Sequence, residues 1–337
     1  MKVIIKNIFI ISLLFVLTES AFSENAGSRG AFTRGGWAGA RYVAAAMTGE
    51  VLANDVFSIY WNPAGLTELK RKTRLTEEEV TKRARTGRID EITEEDLLSF
   101  SESGYEKVFV DAGVSYTALD AERDAVFTGF AFSLFKGVAG AGFYSIMSTG
   151  IETRDDLGNK TGTAAYSGSV AYFSYAYSAN VASVGVSLKG IYESIDDAQY
   201  AGAGADLGVQ VYLLPFFKVG FMARDLGSFL TPYNSPELDK RYDFFYPEFS
   251  IGAAITSDAG FRIAFNGTKR LEQTGFIFGG AIEYDLSRRV IIICGLRDDY
   301  FSSGVVIKLL GMDVSYAFSF DRIDLGYNNT VSIGILF

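Results

Sequence analysis

The chain has 337 residues, is 48% apolar and 15% aromatic, and contains 36 glycines, 5 prolines, one cysteine and no histidine. That composition excludes disorder. The missing histidine and the lone Cys294 exclude imidazole-based nucleophile pairs, an intrachain disulfide and thiolate zinc clusters. A net charge of −9 without a basic stripe argues against a nucleic-acid partner.

Residues 1–23 read as a signal peptide. Lys2 and Lys6 precede an apolar run from Ile8 to Leu17, and Ala21-Phe22-Ser23 places small residues at a cleavage site. The run is short for a helical anchor, which needs about 20 residues. Residues 24–69 form a Gly/Ala-rich opening followed by an aromatic patch. Residues 70–105 are charged: Lys70-Arg71-Lys72-Thr73-Arg74 is followed by Glu77-Glu78-Glu79. Thr76 to Glu79 fits a capping box and Thr93-Glu94-Glu95-Asp96 resembles one, which predicts two short helices near 77–86 and 94–100. Charged runs are usually solvated, so this section is expected to be a structural insertion outside the bilayer.

From 106 to 337 the pattern changes to period two. Val110, Ala112, Val114 and Tyr116 alternate with Asp111, Gly113, Ser115 and Thr117. Val184, Val186 and Leu188 alternate with Ser183, Gly185, Ser187 and Lys189. In a strand the two sets face opposite sides, one apolar and aromatic, the other small and polar. Many runs reach ten residues, the length a bilayer-spanning strand needs at about 9–11, whereas globular strands average about 5–6. About fourteen strands are expected between 106–118 and 328–337, among them 216–226 and 244–256. The fold class is therefore all-β, a closed antiparallel transmembrane barrel in which closure satisfies every backbone group within lipid. Val331, Ile333, Ile335 and Phe337 share one face at the C-terminus. That ending resembles the assembly signal of outer-membrane barrels, which implies the barrel assembly machinery and the lipid bilayer as partners.

Ahead of the barrel lie Gly39-Ala-Arg-Tyr-Val-Ala44, Leu52-Ala-Asn-Asp-Val56 and Ile59-Tyr-Trp-Asn-Pro-Ala-Gly-Leu66. This run resembles the N-terminal region of the FadL-like and PorV-like outer-membrane barrels, with Ala45-Ala46-Met47-Thr48 replacing the common Met-Gly-Gly-Ala stretch. The resemblance implies an N-terminal hatch inside the lumen. In the FadL-like branch it implies hatch-gated passage of hydrophobic solutes such as long-chain fatty acids. In the PorV-like branch it implies a scaffold or shuttle for protein secretion and surface attachment. Tyr60, Trp61, Asn62, Pro63 and Ala64 are the candidate gating residues. Proline fixes φ, and an Asn side chain can hold a tight turn by bonding nearby backbone. Tyr60 and Trp61 would either cover an apolar ligand or pack the hatch.

Other constellations carry less. Gly202-Ala-Gly204-Ala-Asp-Leu-Gly208 has the wrong spacing for a dinucleotide loop and sits in a strand pattern. Asp155, Asp156 and Asn159 lack the alternating ligands of a calcium loop and read as a turn. Cys294 reads as a buried or lipid-facing small hydrophobe. No catalytic constellation, metal site or cofactor site emerges, and a non-enzyme of the outer membrane is expected.

Overall fold

The computed structural model of the chain describes residues 30–72, 109–119, 122–233, 242–298, 300–320 and 326–337. The signal segment, the two short helices expected near 77–86 and 94–100, and the greater part of the charged section lie outside these residues. The strands are β1 (Val110–Leu119), β2 (Arg123–Leu134), β3 (Gly137–Arg154), β4 (Lys160–Ala179), β5 (Ala182–Ile195), β6 (Ala198–Leu214) and β7 (Phe217–Pro232). They continue with β8 (Asp243–Phe244), β9 (Glu248–Thr256), β10 (Phe261–Arg270), β11 (Phe276–Ser287) and β12 (Val290–Arg297). The last three are β13 (Tyr300–Leu309), β14 (Met312–Phe320) and β15 (Tyr327–Leu336).

Each long strand pairs antiparallel with its sequence neighbours, and β1 pairs with β15 from Asp111↔Leu336 to Ala118↔Asn329. The fourteen long strands thus close into a barrel, and the two-residue β8 hangs on β7. Val114, Phe130, Phe173, Leu188, Phe265 and Val331 project outward and are exposed. Such a continuous apolar surface suits lipid. No helix among the described residues is long and apolar enough to cross a membrane. On the inner face, hydroxyls of adjacent strands satisfy one another: Ser174–Ser187 at 2.6 Å, Ser250–Thr268 at 2.8 Å, Ser145–Ser169 at 2.9 Å and Thr117–Thr330 at 3.0 Å.

The two ends of the barrel differ. At one end the turns after β2, β4, β6, β11 and β13 have two residues each, and the chain terminus lies there as well. Phe135, Asn180 and Leu310 take positive φ in three of these turns, as tight hairpins require. The opposite end carries the five-residue connections 155–159 and 271–275 and the short strand β8.

Two strand expectations need correction. The strand expected at 244–256 is interrupted, because Pro247 cannot donate to a ladder and Phe245 turns inward, 4% exposed. The strand expected to end at 226 runs on to Pro232 through two register shifts, with Asp225 and Gly227 at φ 58° and 65°. The inner face is also less uniformly small and polar than the alternation predicts. Phe127, Tyr144, Val170 and Ile191 occupy one inward row across β2–β5, each buried. A large apolar side chain is stable there because the lumen at that level holds protein rather than water.

Candidate functional site

Residues 30–72 fill the lumen. They contain four short helices, α1 (Ala40–Ala44), α2 (Gly49–Leu52), α3 (Ser58–Trp61) and α4 (Thr67–Lys72), and 3₁₀ turns at Ala31–Arg34 and Pro63–Leu66. Helices of this length have no independent stability, so packing against the wall must hold them. Asn62 caps the second 3₁₀ turn: its Oδ1 accepts the Ala64 N–H at 3.1 Å, and Pro63 occupies the first helical position. Its Nδ2 donates to the carbonyls of Glu50 (2.6 Å), Phe221 (3.2 Å) and Val209 (3.3 Å). The side chain therefore ties the turn both to α2 and to strands β6 and β7.

The wall admits this plug through inward glycines. A Cβ on Gly185 would strike Pro63 and the Ala64 nitrogen, and one on Gly220 would strike the Glu50 carbonyl. Gly140 faces Ile59, Gly252 faces Glu50 and Val51, and Gly295 and Gly304 face Ala44. Glycine lets the two backbones approach where any side chain would hold them apart. On the β2–β4 side the contact is aromatic. Tyr60 lies 5.2 Å from both Trp61 and Tyr144, centroid to centroid, and its hydroxyl donates to Thr33 O while accepting the Gly36 N–H.

The opposite side is charged. Arg34 Nε donates to Asp225 Oδ2 at 2.8 Å, Nη1 donates to Glu272 at 2.9 Å, and Nη2 donates to the Tyr246 carbonyl. Lys189 bridges Asp225 and Asp206, and the Asp225 N–H donates to Asp206 at 2.8 Å. Arg224 reaches the Tyr60 and Trp61 carbonyls at 3.4 and 3.3 Å and stands over both rings. Arg41 grips Glu283 with Nε and Nη2, both at 2.8 Å, while Nη1 donates to Asn54 at 2.9 Å. Burial pushes the Glu50 carboxyl up to about 7. Its Oε1 has no hydrogen-bond partner.

Two voids between plug and wall bear on the site. One, about 10 Å³ and bordered by Glu50, Arg224, Arg270 and Arg297, has room for one water-sized occupant. The other, about 410 Å³, lies between the plug and the short-turn ends of β13, β14, β15 and β1. It falls in the size range of small-molecule sites.

All five candidate gating residues are buried and clustered in the lumen. Tyr60 and Trp61 are each 2% exposed and touch ring to ring, with the Trp61 indole N–H donating to the Ala38 carbonyl. Val331, Ile333 and Phe337 lie on the outer face, and Ser332 between them is buried, accepting the Ala40 N–H at 3.0 Å. Gly208 faces Asn62 in the lumen, Cys294 lies exposed on the outer face, and the described residues hold no cluster of metal-ligating side chains. Asp155 closes its own turn by accepting the Leu157 and Asn159 N–H groups. The Asn159 side chain draws its carboxyl below the usual range. Sequence reading missed Arg224, Asp225 and Glu283 as plug contacts, and Lys189 and Asp206 as the wall residues that hold Asp225. Their signal was available: a charge within a spanning strand has to face the interior.

No family model matches the sequence, and no curated protein sequence matches it. Among solved structures, a deletion mutant of the TodX monoaromatic hydrocarbon channel aligns with TM-score 0.53 and 10% identity, covering 88% of this chain and 97% of that one. A Pseudomonas aeruginosa FadL homologue aligns with TM-score 0.51 and 9% identity, with the same coverage. This chain has the fold of the FadL-like barrels. At such identity the likeness speaks to architecture, and the chemistry rests on the residues above.

Proposed function

We propose that the protein is a non-enzymatic outer-membrane barrel that lets hydrophobic solutes pass when its N-terminal plug moves, long-chain fatty acids being one such class. The observation that carries this reading is the buried plug, seated on glycines and fastened by side-chain pairs inside a closed, lipid-facing ring. A structural pillar would need no seam along its length, whereas here a chamber already opens between plug and wall. The barrels it resembles are a channel for monoaromatic hydrocarbons and a FadL homologue, which supports the same direction. Outer-membrane barrels keep short turns on the periplasmic side, so the 410 Å³ chamber would face the periplasm. In this reading Tyr60, Trp61, Asn62, Pro63 and Ala64 hold the plug closed. Val331, Ile333, Ile335 and Phe337 form the signal read by the assembly machinery. The test is uptake of a radiolabelled hydrocarbon by cells with an intact outer membrane, with and without the protein. Equal uptake would sink the reading.

A second reading, a PorV-like scaffold for secreted or surface proteins, has one observation in its favour. The β3–β4 hairpin continues past Ser148 and Tyr166, the last residues paired to β2 and β5, as far as a turn at Asp155–Asn159. Its two edges there offer backbone groups to a partner strand. A protein co-purifying in stoichiometric amount, and lost when the hairpin is shortened, would favour this role.

A further inference from the structure

The smaller void is bordered by four guanidiniums, those of Arg34, Arg224, Arg270 and Arg297, and by two carboxyls, those of Glu50 and Glu248. Three of the four cations have a carboxylate partner. Arg34 pairs with Asp225 and Glu272, while Glu248 lies 2.7 Å from Arg270 and 3.7 Å from Arg224. Arg297 is 9% exposed, and it makes no hydrogen bond or ion pair with the described residues. Arg224 Nε is buried without an acceptor, and Glu50 Oε1 is buried without a donor. The sheet register explains why Arg297 stands alone. The pairs Gly220↔Gly252, Gly252↔Asn266, Asn266↔Gly279 and Gly279↔Arg297 form one level of the inner wall. Glu50 sits against its two glycines at 220 and 252. That level offers Arg297 no carboxylate of the wall.

We infer that this void is a binding site for a single chloride ion, held by Arg297 and Arg224 of the wall and by Glu50 of the plug. A buried guanidinium without a counter-charge is costly. Glu50 supplies that charge only when ionised, and burial keeps a proton on it below a pH of about 7. In its protonated form the Glu50 O–H and both guanidiniums are donors, so the ligand they share is an acceptor. A water molecule would accept these bonds but leave the Arg297 charge uncancelled. The volume, about 10 Å³, holds one water-sized body, which suits a monatomic anion and turns away sulfate, phosphate and carboxylates. Chloride and the ionised Glu50 are thus alternatives, and the ion enters together with a proton. Bound there, it joins plug to wall, whatever solute the barrel carries.

The test uses crystals of the intact protein grown in sodium chloride or in sodium gluconate, with data collected at a long wavelength where chlorine scatters anomalously. At pH 5.5 a chlorine peak is expected in the void beside Arg297, absent from gluconate crystals and from Arg297→Gln. At pH 8.5 the affinity should be about thirtyfold lower, following the loss of the Glu50 proton. Glu50→Gln, uncharged throughout, should keep the peak at both pH values. In solution at pH 5.5, about 100 mM chloride in place of gluconate should favour the folded barrel about tenfold for a site half-filled near ~10 mM. Heat-modifiable migration reads this as a higher midpoint temperature, in the parent and Glu50→Gln but not in Arg297→Gln. Density without chlorine scattering marks a water and overturns the inference. So does a peak or midpoint shift that Arg297→Gln retains, or parent occupancy that ignores pH. A peak in crystals with no midpoint shift in solution marks an adventitious ion only, and overturns it as well. Should Arg297→Gln fail to insert, the anion and pH comparisons on the parent decide.

Discussion

Arg34 Nε and Asp225 Oδ2 stand 2.8 Å apart, 191 positions separated in sequence, with both side chains almost wholly shielded from solvent. The pair fastens the upper end of the plug to the irregular stretch of β7. The left-handed backbone at Asp225, φ 58°, turns its carboxylate toward Arg34 and Lys189 together. Removing Arg34 leaves Asp225 with Lys189 as its remaining cation, so the cost falls below the about 3–5 kcal/mol of a wholly stranded buried charge. Arg34→Ala should therefore lower unfolding stability and give frequent openings in planar-bilayer recordings. A quiet, fully stable variant would show that this end of the plug is held elsewhere.

Asn62 offers a sharper contrast. Asn62→Ala deletes the cap and three donor contacts, each worth about 0.5–1.5 kcal/mol. Asn62→Asp keeps the capping oxygen but sets a charge against the carbonyls of Glu50, Val209 and Phe221. The aspartate variant should thus leak more than the alanine variant. The reverse order would mean that the cap, rather than the bridge to β6 and β7, is what counts.

Plug seating should depend on pH through Glu50. Its carboxyl, ordinarily near 4.5, is lifted to about 7 by burial, so the folded state holds a proton that the unfolded chain has released between those values. Stability is then fully present below 4.5, declines as pH rises to 7, and stays lower above it, a change on the order of 3 kcal/mol. Channel openings counted from pH 5 to 8 should increase in the parent and stay flat in Glu50→Gln. Parallel curves for the two proteins would remove Glu50 from the account.

The glycine seats predict a split between positions of the same residue type. Gly220→Val should displace α2 and raise conductance, because its Cβ meets the Glu50 carbonyl. Gly334→Val, with open space before it, should be silent. Barrel insertion, read by heat-modifiable migration on gels, should survive in both.

The alternation of Val184, Val186 and Leu188 with Ser183, Gly185 and Ser187 made the barrel legible, because lipid on one side enforces a strict period of two. The plug's place was legible through Asn62-Pro63-Ala64 and its neighbours by resemblance. Its fastening was not. Lys189 looked like one more member of a polar face, and nothing local to it points to Asp225, since their meeting depends on a register shift in β7. Phe127 and Tyr144 broke the expected polarity of the inner face for a related reason. Period two reports which side a residue faces and says nothing of what occupies that side.

The ring is sealed where β1 meets β15, the first strand against the last. That seam cannot form until β15 is present. The plug precedes β1 in the chain, and its short helices need the wall to hold their shape. A plug admitted after sealing would have to thread through a finished mouth and find each glycine seat from within. Enclosure during curling avoids that search: the wall wraps its own stopper, as a cooper raises staves around a bung already in place. The order of events is thereby written into the connectivity, and a circular permutant that moved residues 30–72 behind β15 would have to fill the barrel after it had closed.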